Sequence, residues 1–386
     1  MQATILRPVM LSPARIGEIA PCDFFDGNGS LLLRKGALIS ENLQKQLGNR
    51  RLLCDAAQAT TILTGNPLQA LADAGKTLLT LDAAVRTGSN FDAEACRTLA
   101  ESLHNAWQLD PDACIGFMRT ANPGSSSVCQ TILAALFAAE LGKAHAFTRD
   151  ELVELIGAAL TMNMGSMALH DEMATFTGSL PGSLRRRLKE HPLQAAKILR
   201  NVGMPDVWSR AVEQHHENLN GSGYPGGLIK GSICLEARML RLVDIFTARL
   251  RQREGRGPRH WNITQARDLG VLTEHVFDAD LGMLDLSLAR LLMSRLGLFP
   301  PGSIVRLSNG ELAIVSRRSY DIVRDAILSP HEVLSFLDAD GQLCETPRVR
   351  RIGLNACRIL SYANDDQPRL PPYDWPTIWG YYVQDS

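Results

Sequence analysis

The stretch from His215 to Leu228, which reads HHENLNGSGYPGGL, constrains this chain more than any other. It places two adjacent imidazoles and the carboxylate of Glu217 at the end of an apolar run, and then becomes a glycine-rich turn. Imidazole nitrogens are good ligands for Fe, Mn and Zn, and a loop with little side-chain bulk lets a phosphate-bearing ligand approach the backbone. The stretch therefore predicts a site for a metal or a phosphate.

The composition is typical of a soluble globular protein. The chain has 386 residues, of which 45% are hydrophobic and 21% are charged, and its formal net charge is -1. This length is enough for two or three packed domains. A charge so close to zero gives no electrostatic reason to expect binding to nucleic acid or to a membrane surface.

The sequence predicts a cytoplasmic protein. No apolar run reaches the roughly 20 residues that a membrane span requires, and no basic region followed by an apolar core indicates a secretory signal. The eight cysteines lie far apart and include no CxxC pair. We therefore expect reduced thiols rather than a disulfide framework.

The sequence patterns of residues 1–296 predict two domains. Residues 1–62 are expected to form a small α/β cap, because the Asp-Gly and Asn-Gly pairs at 26–29 are typical of a hairpin turn and Ser40 is a suitable helix N-cap. Residues 63–296 then repeat apolar residues at helical spacing. Within them, the segment Thr148–Glu151 fits a capping box that begins a helix.

The C-terminal part has the sequence pattern of β-strands instead of helices. Residues 297–363 alternate apolar and polar side chains on both sides of Asn309-Gly310, which indicates a hairpin and a small β module. Residues 364–386 form an aromatic-rich tail, in which Trp375 and Trp379 flank a proline that argues against a long helix. We expect this tail to pack on its own chain.

Two further motifs complete a recognisable set. His191 is followed by Pro192, which is expected at the first position of a helix and would place His191 at the helix start. Asp244 is a lone carboxylate inside the apolar run LVDIF, where it needs a cation or hydrogen-bond donors. Together with the stretch from His215 to Leu228, these motifs resemble the HD-GYP family, the bacterial metal-dependent phosphodiesterases that linearise cyclic di-GMP. The resemblance implies a mainly α protein: an HD-type helical bundle between the N-terminal cap and the C-terminal β module.

The resemblance also shows what this chain lacks. The family's central His-Asp pair would fall about 29 residues before His191, where this sequence has Met162 and Asn163. Ser166 stands for the lysine that follows that pair, and Ser126 stands for an earlier histidine. Asn163 carries no charge to bridge two dications about 3.5 to 4 Å apart, and a thioether suits Fe(II) or Mn(II) poorly. The HD motif is therefore degenerate, and hydrolysis by the two-metal route is expected to be lost.

A literal His-Asp pair, His170 and Asp171, stands eight residues after Met162. By resemblance it falls in a loop that reads Ile-Pro-Asp in family members, so that Asp171 matches the loop aspartate rather than a metal ligand. The alternative, an atypical ligand set recruited through this pair, stays open.

Four residues of the metal site remain: His191, His215, His216 and Asp244. They could gather around a single divalent transition metal of the Fe or Mn type, because neutral imidazoles suit several such metals. The competing interpretation is that no metal binds and that the histidines are hydrogen-bonded to carboxylates such as Glu217 or Asp244. Two functions follow from these interpretations. The chain is expected to be a catalytically inactive ligand-binding or protein-interaction module of cyclic di-GMP signalling; the alternative is a phosphodiesterase with a mononuclear or atypical metal site.

The glycine-rich loop is the predicted contact surface for a ligand or partner. Its residues are Gly221, Gly223, Tyr224 and Pro225, and an exposed Tyr224 would supply stacking area. In the arginine cluster that follows Asp244, Arg253 falls on a position that matches the family. The resemblance implies cyclic di-GMP or diguanylate cyclase (GGDEF-type) domains as partners. A purely structural turn is the alternative.

Overall fold

The structure is a computed structural model that describes residues 6–9, 19–26, 30–40, 52–55, 66–121, 123–174, 181–250, 282–321, 326–353, 357–363, 370 and 373–381. The predicted turn at 27–29, the predicted helix after Ser40 and the arginine cluster from 251 onward lie outside these residues. All eight cysteines lie within them, and none forms a disulfide.

A small antiparallel sheet forms the N-terminal cap. Its strands are β1 (Leu6–Val9), β2 (Phe24–Phe25), β3 (Leu31–Leu33) and β4 (Leu52–Asp55), in the order β1-β4-β2-β3. β2 and β3 pair antiparallel, as the predicted hairpin requires. The sheet packs on a separate small core made by Ala20, Cys22, Phe24, Ile39, Leu52 and Cys54.

The middle of the chain is a helical bundle, as the spacing of apolar residues predicts. Its helices are α1 (Pro67–Thr87), α2 (Ala93–Leu109), α3 (Pro111–Thr120), α4 (Ser126–Ala144), α5 (Arg149–Thr161), α6 (Met167–Ala174), α7 (Gly182–Asn201), α8 (Asp206–Gln214), α9 (Leu235–Leu250) and α10 (Leu286–Leu296). The predicted capping box is present, because Thr148 and Glu151 exchange hydrogen bonds at the start of α5. Side chains of Asn66, Asp92, Asp110 and Ser125 accept backbone N–H groups at the starts of four other helices.

Helix α4 is the central helix of the bundle. Every residue from Ser127 to Gly142 is buried, and α5, α9 and α10 pack against it. Among the described residues it is the one helix that is long and apolar enough to cross a membrane, but 89% of its most apolar 18-residue stretch is buried inside the protein. A helix that is apolar on all sides is expected where other elements of the protein cover it.

A five-stranded antiparallel sheet follows the bundle. Its strands are β5 (Ile304–Leu307), β6 (Leu312–Asp321), β7 (Ala326–Leu337), β8 (Leu343–Arg351) and β9 (Ile359–Tyr362), in the order β8-β7-β6-β5-β9. The predicted hairpin joins β5 to β6, and Gly310 adopts the left-handed φ of +88° that such a turn needs. The predicted fold class, mainly α with a small sheet at each end, is confirmed.

Buried ion pairs fasten this sheet to the bundle. Nη1 of Arg317 lies 2.5 Å from Oδ1 of Asp110. Nε of Arg318 lies 2.5 Å from Oδ1 of Asp112, and its Nη2 lies 2.7 Å from Oε1 of Glu140. All five side chains are 8% exposed or less. Because removal of either partner would leave an uncompensated buried charge, strand β6 is held firmly against α3 and α4.

The aromatic tail folds back onto the bundle, as predicted. A short helix, α11 (Trp375–Trp379), ends at a fully buried Trp379, whose Nε1 donates to Oγ1 of Thr120 at 3.1 Å. The ring fits because residue 116 is glycine, where a Cβ would lie 2.0 Å from the indole. The hydroxyl of Tyr381 donates to Asp110 at 2.9 Å.

Candidate metal centre

Three histidines converge inside the bundle. His191 lies in the middle of α7, and His215 and His216 directly follow α8. One nitrogen from each ring lies within 4.8 Å of the other two, and all three residues are buried. Within the ranges that the structure describes, no other group of three or more His, Cys, Asp or Glu side chains is close enough to share an ion.

Pro192 fixes the orientation of His191. It lies inside α7 rather than at its first position, because α7 already begins at Gly182; the predicted placement at the helix start is wrong. A proline has no N–H to give to the carbonyl one turn before it. That carbonyl, of Leu188, accepts from Nδ1 of His191 at 2.7 Å instead. The proline therefore leaves a backbone acceptor free to hold the imidazole.

The end of α8 orients His215 in the same way. The last carbonyls of a helix have no intrahelical donor, and the carbonyl of Val212 accepts from Nδ1 of His215 at 2.6 Å. A carbonyl can only accept, so neutral His191 and His215 both carry hydrogen on Nδ1. Their Nε2 atoms lie 3.3 Å apart and both present lone pairs. This pair of nitrogens is suited to share a cation.

His216 has a different environment. Nη1 of Arg241, on α9, lies 3.0 Å from Nδ1 of His216, and Nε of the same arginine donates to Oδ1 of Asn218 at 3.2 Å. A guanidinium has no acceptor, so Nδ1 of His216 must accept, and the neutral ring carries its hydrogen on Nε2. The ring of Tyr224 stacks on His216, with centroids 4.6 Å apart and planes at 25°.

Burial keeps the three imidazoles neutral. It lowers the pKa of His215 to about 3, and it is the largest cause of a pKa well below 6.5 for His191 and His216. Mutual repulsion between the rings, if charged, lowers the pKa of His191 and His216 further. A neutral imidazole keeps a lone pair for a metal, so protons do not compete for this site near pH 7.

The neighbouring carboxylates have other partners. Glu217 accepts hydrogen bonds from the backbone N–H groups of Gly226 at 2.6 Å and Leu228 at 2.9 Å. Oδ1 of Asp244 accepts from Nε2 of Gln130 at 3.2 Å. The imidazoles bond instead to the carbonyls of Leu188 and Val212 and to Arg241, so the interpretation in which Glu217 or Asp244 holds them by hydrogen bonds is wrong.

Gln130 is a site residue that sequence reasoning missed. It lies one turn after Ser126 in α4 and is buried, whereas Ser126 is half-buried at the start of the helix. The signal was present in the sequence, because Gln130 is a long polar side chain in a largely apolar helix and stands four residues after Ser126. Its amide donates a hydrogen bond to the buried carboxylate of Asp244.

Met162, Asn163 and Ser166 lie together in the turn between α5 and α6. Met162 is fully buried in the main core, and Oγ of Ser166 donates to the carbonyl of Asn163 at 2.8 Å. Oδ1 of Asn163 is buried and accepts no hydrogen bond. A buried acceptor without a donor is destabilising, so this amide marks a place where a cation or a bound donor would stabilise the fold.

Helix α1 supports this turn from outside. Oδ1 of Asp82 accepts from the backbone N–H of Gly165 at 2.7 Å and of Met167 at 3.4 Å. Gly165 has a left-handed φ of +79°, and an added Cβ would lie 2.7 Å from Val85. The turn that carries Asn163 therefore depends on a glycine and on a carboxylate from a distant helix.

His170 and Asp171 lie on helix α6, so the prediction that they fall in a loop is wrong. The two carboxylate oxygens of Asp171 accept from the backbone N–H and the hydroxyl of Ser127, at 2.6 and 2.7 Å, at the first turn of α4. The ring of His170 lies 6.0 Å from that of His191, at an interplanar angle of 87°. Asp171 thus stabilises α4, while His170 borders the histidine cluster.

The glycine-rich loop folds back onto the histidines. At Gly223 an added Cβ would lie 2.3 Å from the backbone nitrogen of Asn218, so only glycine fits this close approach. Tyr224 is half-buried against His216 rather than exposed as predicted, and its peptide bond to Pro225 is cis. Gly221 has a left-handed φ of +80°. Arg253, the other predicted contact, lies outside the described residues.

Comparison with known proteins agrees with these motifs. The family model described as HD domain matches residues 112–281. The cyclic di-GMP phosphodiesterase PA4108 of Pseudomonas aeruginosa is 25% identical over 71% of this chain and 60% of its own length. The cyclic di-GMP phosphodiesterase response regulator RpfG of Xanthomonas campestris pv. campestris is 32% identical over 31% of this chain and 32% of its own length. The 3'3'-cGAMP-specific phosphodiesterase 1 of Vibrio cholerae is 29% identical over 31% of this chain and 29% of its own length.

The chain spans 60% of the first of these relatives and about a third of the other two. The matched region contains His191-Pro192, the paired histidines before the GYP loop, and Asp244. The matched region is thus an HD domain on a helical bundle, and its motif order resembles that of the HD-GYP family.

Proposed function

We propose that this chain is a binding module of cyclic di-GMP signalling, whose histidine cluster holds at most one divalent transition metal and does not hydrolyse the dinucleotide by a two-metal route. The ligand class comes from the names of two relatives, which are cyclic di-GMP phosphodiesterases. The proposal places the protein in the cytoplasm and includes no nucleic-acid partner, in keeping with its net charge of -1.

The donor set of the site is the observation that supports this proposal. Three neutral imidazoles converge, and in the described part of the chain no carboxylate joins them. Two dications about 3.5 to 4 Å apart repel each other unless a bridging anion offsets the repulsion. Asn163, which the resemblance puts at the bridging position, is neutral, and Asp171 is bound to Ser127. A second cation would therefore meet repulsion that no bridging anion offsets.

The residues present do fit one metal. The 3.3 Å between Nε2 of His191 and Nε2 of His215 is close to the ~3.3 Å that separates two nitrogens on a tetrahedral Zn²⁺ with bonds of about 2.0–2.1 Å. A metal held there would supply a Lewis acid for a phosphate oxygen. The chain itself contributes the fixed ring orientations, through the carbonyls of Leu188 and Val212.

The glycine-rich loop would provide the remainder of the binding surface. Tyr224 joins the loop to the cluster through its stack on His216, and the loop backbone at Gly226 is held by Glu217. A dinucleotide phosphate at the histidines would therefore lie beside a loop with little side-chain bulk. We assign Gly221, Gly223, Tyr224 and Pro225 to this surface, and a GGDEF-type domain is its alternative occupant.

Metal analysis and a turnover assay test this proposal together. Protein reconstituted with Mn(II) or Fe(II) is expected to retain at most one ion per chain, to leave cyclic di-GMP intact, and to release or absorb heat on titration with the dinucleotide. Turnover to the linear dinucleotide or GMP that His216→Ala abolishes, and that the exposed-site control His145→Ala preserves, would overturn it.

A restored ligand pair gives a second, independent measurement. The double variant Met162→His/Asn163→Asp supplies an imidazole and a bridging carboxylate, and we expect it to raise the bound metal to two ions per chain. Circular dichroism confirms that the variant is folded. A folded variant that still binds no more than one ion would show that the missing pair is not what limits occupancy.

One observation favours the alternative function, a phosphodiesterase with an atypical site. His170 brings a fourth ring to within 6.0 Å of His191, so the cluster could draw on an additional nitrogen. In that case His170→Ala would abolish turnover by the metal-loaded protein. If wild-type protein shows no turnover with any of Mn(II), Fe(II) or Zn(II), this alternative is excluded.

A further inference from the structure

We propose that Arg241 is an internal cation that removes His216 from the metal ligand set, so that His191 and His215 bind the metal while His216 presents an N–H donor. This inference deepens the proposed function and rests on it for the single-metal site. It assigns a positioning role to an arginine that no motif of the sequence singled out.

Two nitrogens of the guanidinium hold Arg241 in position. Its Nη1 lies 3.0 Å from Nδ1 of His216, and its Nε lies 3.2 Å from Oδ1 of Asn218. The planar guanidinium makes both contacts without rotating, which is a geometry that a lysine could not reproduce. Arg241 is half-buried on α9, one turn before Asp244.

The contact with Arg241 determines which nitrogen of His216 carries hydrogen. Because the guanidinium can only donate, Nδ1 accepts and the hydrogen of the neutral ring lies on Nε2. His191 and His215 have the opposite arrangement, since each donates from Nδ1 to a backbone carbonyl. Two rings thus present lone pairs at Nε2, and the third presents an N–H group. The stack of Tyr224 on His216 opposes rotation of the ring.

A metal that recruited His216 would have to displace Arg241 or move the ring's hydrogen to Nδ1, against the guanidinium. The positive charge of the arginine would also repel the dication. An anion has the opposite preference, because the N–H of His216 and the guanidinium are both donors for phosphate oxygens. The site is therefore divided between a two-imidazole edge for a metal and a two-donor edge for a phosphodiester.

The experiment compares the wild-type chain with Arg241→Met. Each protein is stripped of metal and titrated with Co(II), and binding is read by absorbance. Partners that orient metal ligands typically change metal affinity 10–100-fold, so freeing His216 should tighten Co(II) binding about 10-fold or more. Arg238→Met is the matched control, because Arg238 lies on the same helix and pairs with Asp285 instead of a histidine. It should leave the Co(II) affinity unchanged.

Nitrogen-15 NMR of the histidine rings tests the inference without any variant. In the metal-free wild type, the His216 ring should carry hydrogen on Nε2, and the other two rings should carry it on Nδ1. An Nδ1–H form of His216, or a loss of Co(II) affinity in His216→Ala as large as that in His215→Ala, would overturn the role of Arg241. Turnover of cyclic di-GMP would refute the proposed function but leave this tautomer measurement valid.

Discussion

Nε2 of His191 faces Nε2 of His215 at 3.3 Å, and the hydrogen bonds at the opposite nitrogen of each ring leave both atoms with lone pairs. Two lone pairs at this distance repel each other unless a proton or a metal ion lies between them. Because burial lowers the pKa of both rings, a metal ion is the better match near neutral pH. A metal ion bound by both nitrogens would replace this repulsion with attraction.

Metal binding should stabilise the fold. An ion that binds the folded chain at 100 times its dissociation constant contributes about 2.7 kcal/mol, so Zn(II) is expected to raise the Tm by several degrees. His215→Ala should abolish the rise, while His145→Ala, at an exposed histidine, should preserve it. Differential scanning calorimetry with and without a chelator measures the effect. An equal rise in all three proteins would place the stabilising ion elsewhere.

Pro192→Ala should raise the stability of the fold and lower the affinity for metal. The variant adds an N–H that can bond to the carbonyl of Leu188, and removal of a proline from a helix interior is worth up to about 3 kcal/mol. That carbonyl also holds Nδ1 of His191, so the ring loses orientation and Co(II) affinity should fall by about 10-fold. Urea denaturation and Co(II) titration measure the two effects. Unchanged Co(II) affinity would show that the carbonyl does not position the ring.

Gly223→Ala should displace the glycine-rich loop. A Cβ at this position would lie 2.3 Å from the backbone nitrogen of Asn218, so the loop must move and its stack of Tyr224 on His216 is lost. We expect a destabilisation of about 1–3 kcal/mol, the usual cost of overpacking, and weaker binding of cyclic di-GMP. Gly231→Ala is the matched control, because a Cβ there meets nothing within 4 Å. Similar urea midpoints for the two variants would contradict this account.

The C-terminal sheet should lose stability in acid. Hydrogen bonds from Arg350 are the main reason that the pKa of Glu311 lies at about 2 rather than 4.5. A carboxyl with a lowered folded-state pKa contributes its full stabilisation above about pH 4.5 and loses it as the pH falls toward 2. Glu311→Gln should therefore narrow the difference in Tm between pH 6 and pH 3. The same difference in Glu311→Gln and in the exposed control Glu345→Gln would refute this.

Local sequence was enough for the parts of the site that depend on local chemistry. The capping box at Thr148 and the hairpin at Gly310 follow from side chains that bond to their own neighbourhood. The convergence of His191 with His215 and His216 was expected from the resemblance of the motif order to a known family and not from local physical rules. No local rule states that α7 and α8 meet at these residues.

The remaining features depend on long-range packing. The usual preference of proline for a helix start misplaced Pro192, because burial of α7 against the bundle outweighs the lost hydrogen bond. Tyr224 was expected on the surface, but the close approach at Gly223 turns it onto His216. Arg241 stands in an apolar run, and nothing in that run shows that its side chain meets an imidazole.

Helix α4 connects the five-stranded sheet to the histidine cluster. Glu140, toward its C-terminal end, binds Arg318 of β6, and Gln130, ten residues earlier and about 15 Å away along the axis, binds Asp244. Both contacts are buried, so neither partner can move along the helix without breaking a hydrogen bond. Because α4 is buried along this whole length, a movement of β6 that preserved the contact with Glu140 would have to carry the helix, and Gln130 with it, in the same direction.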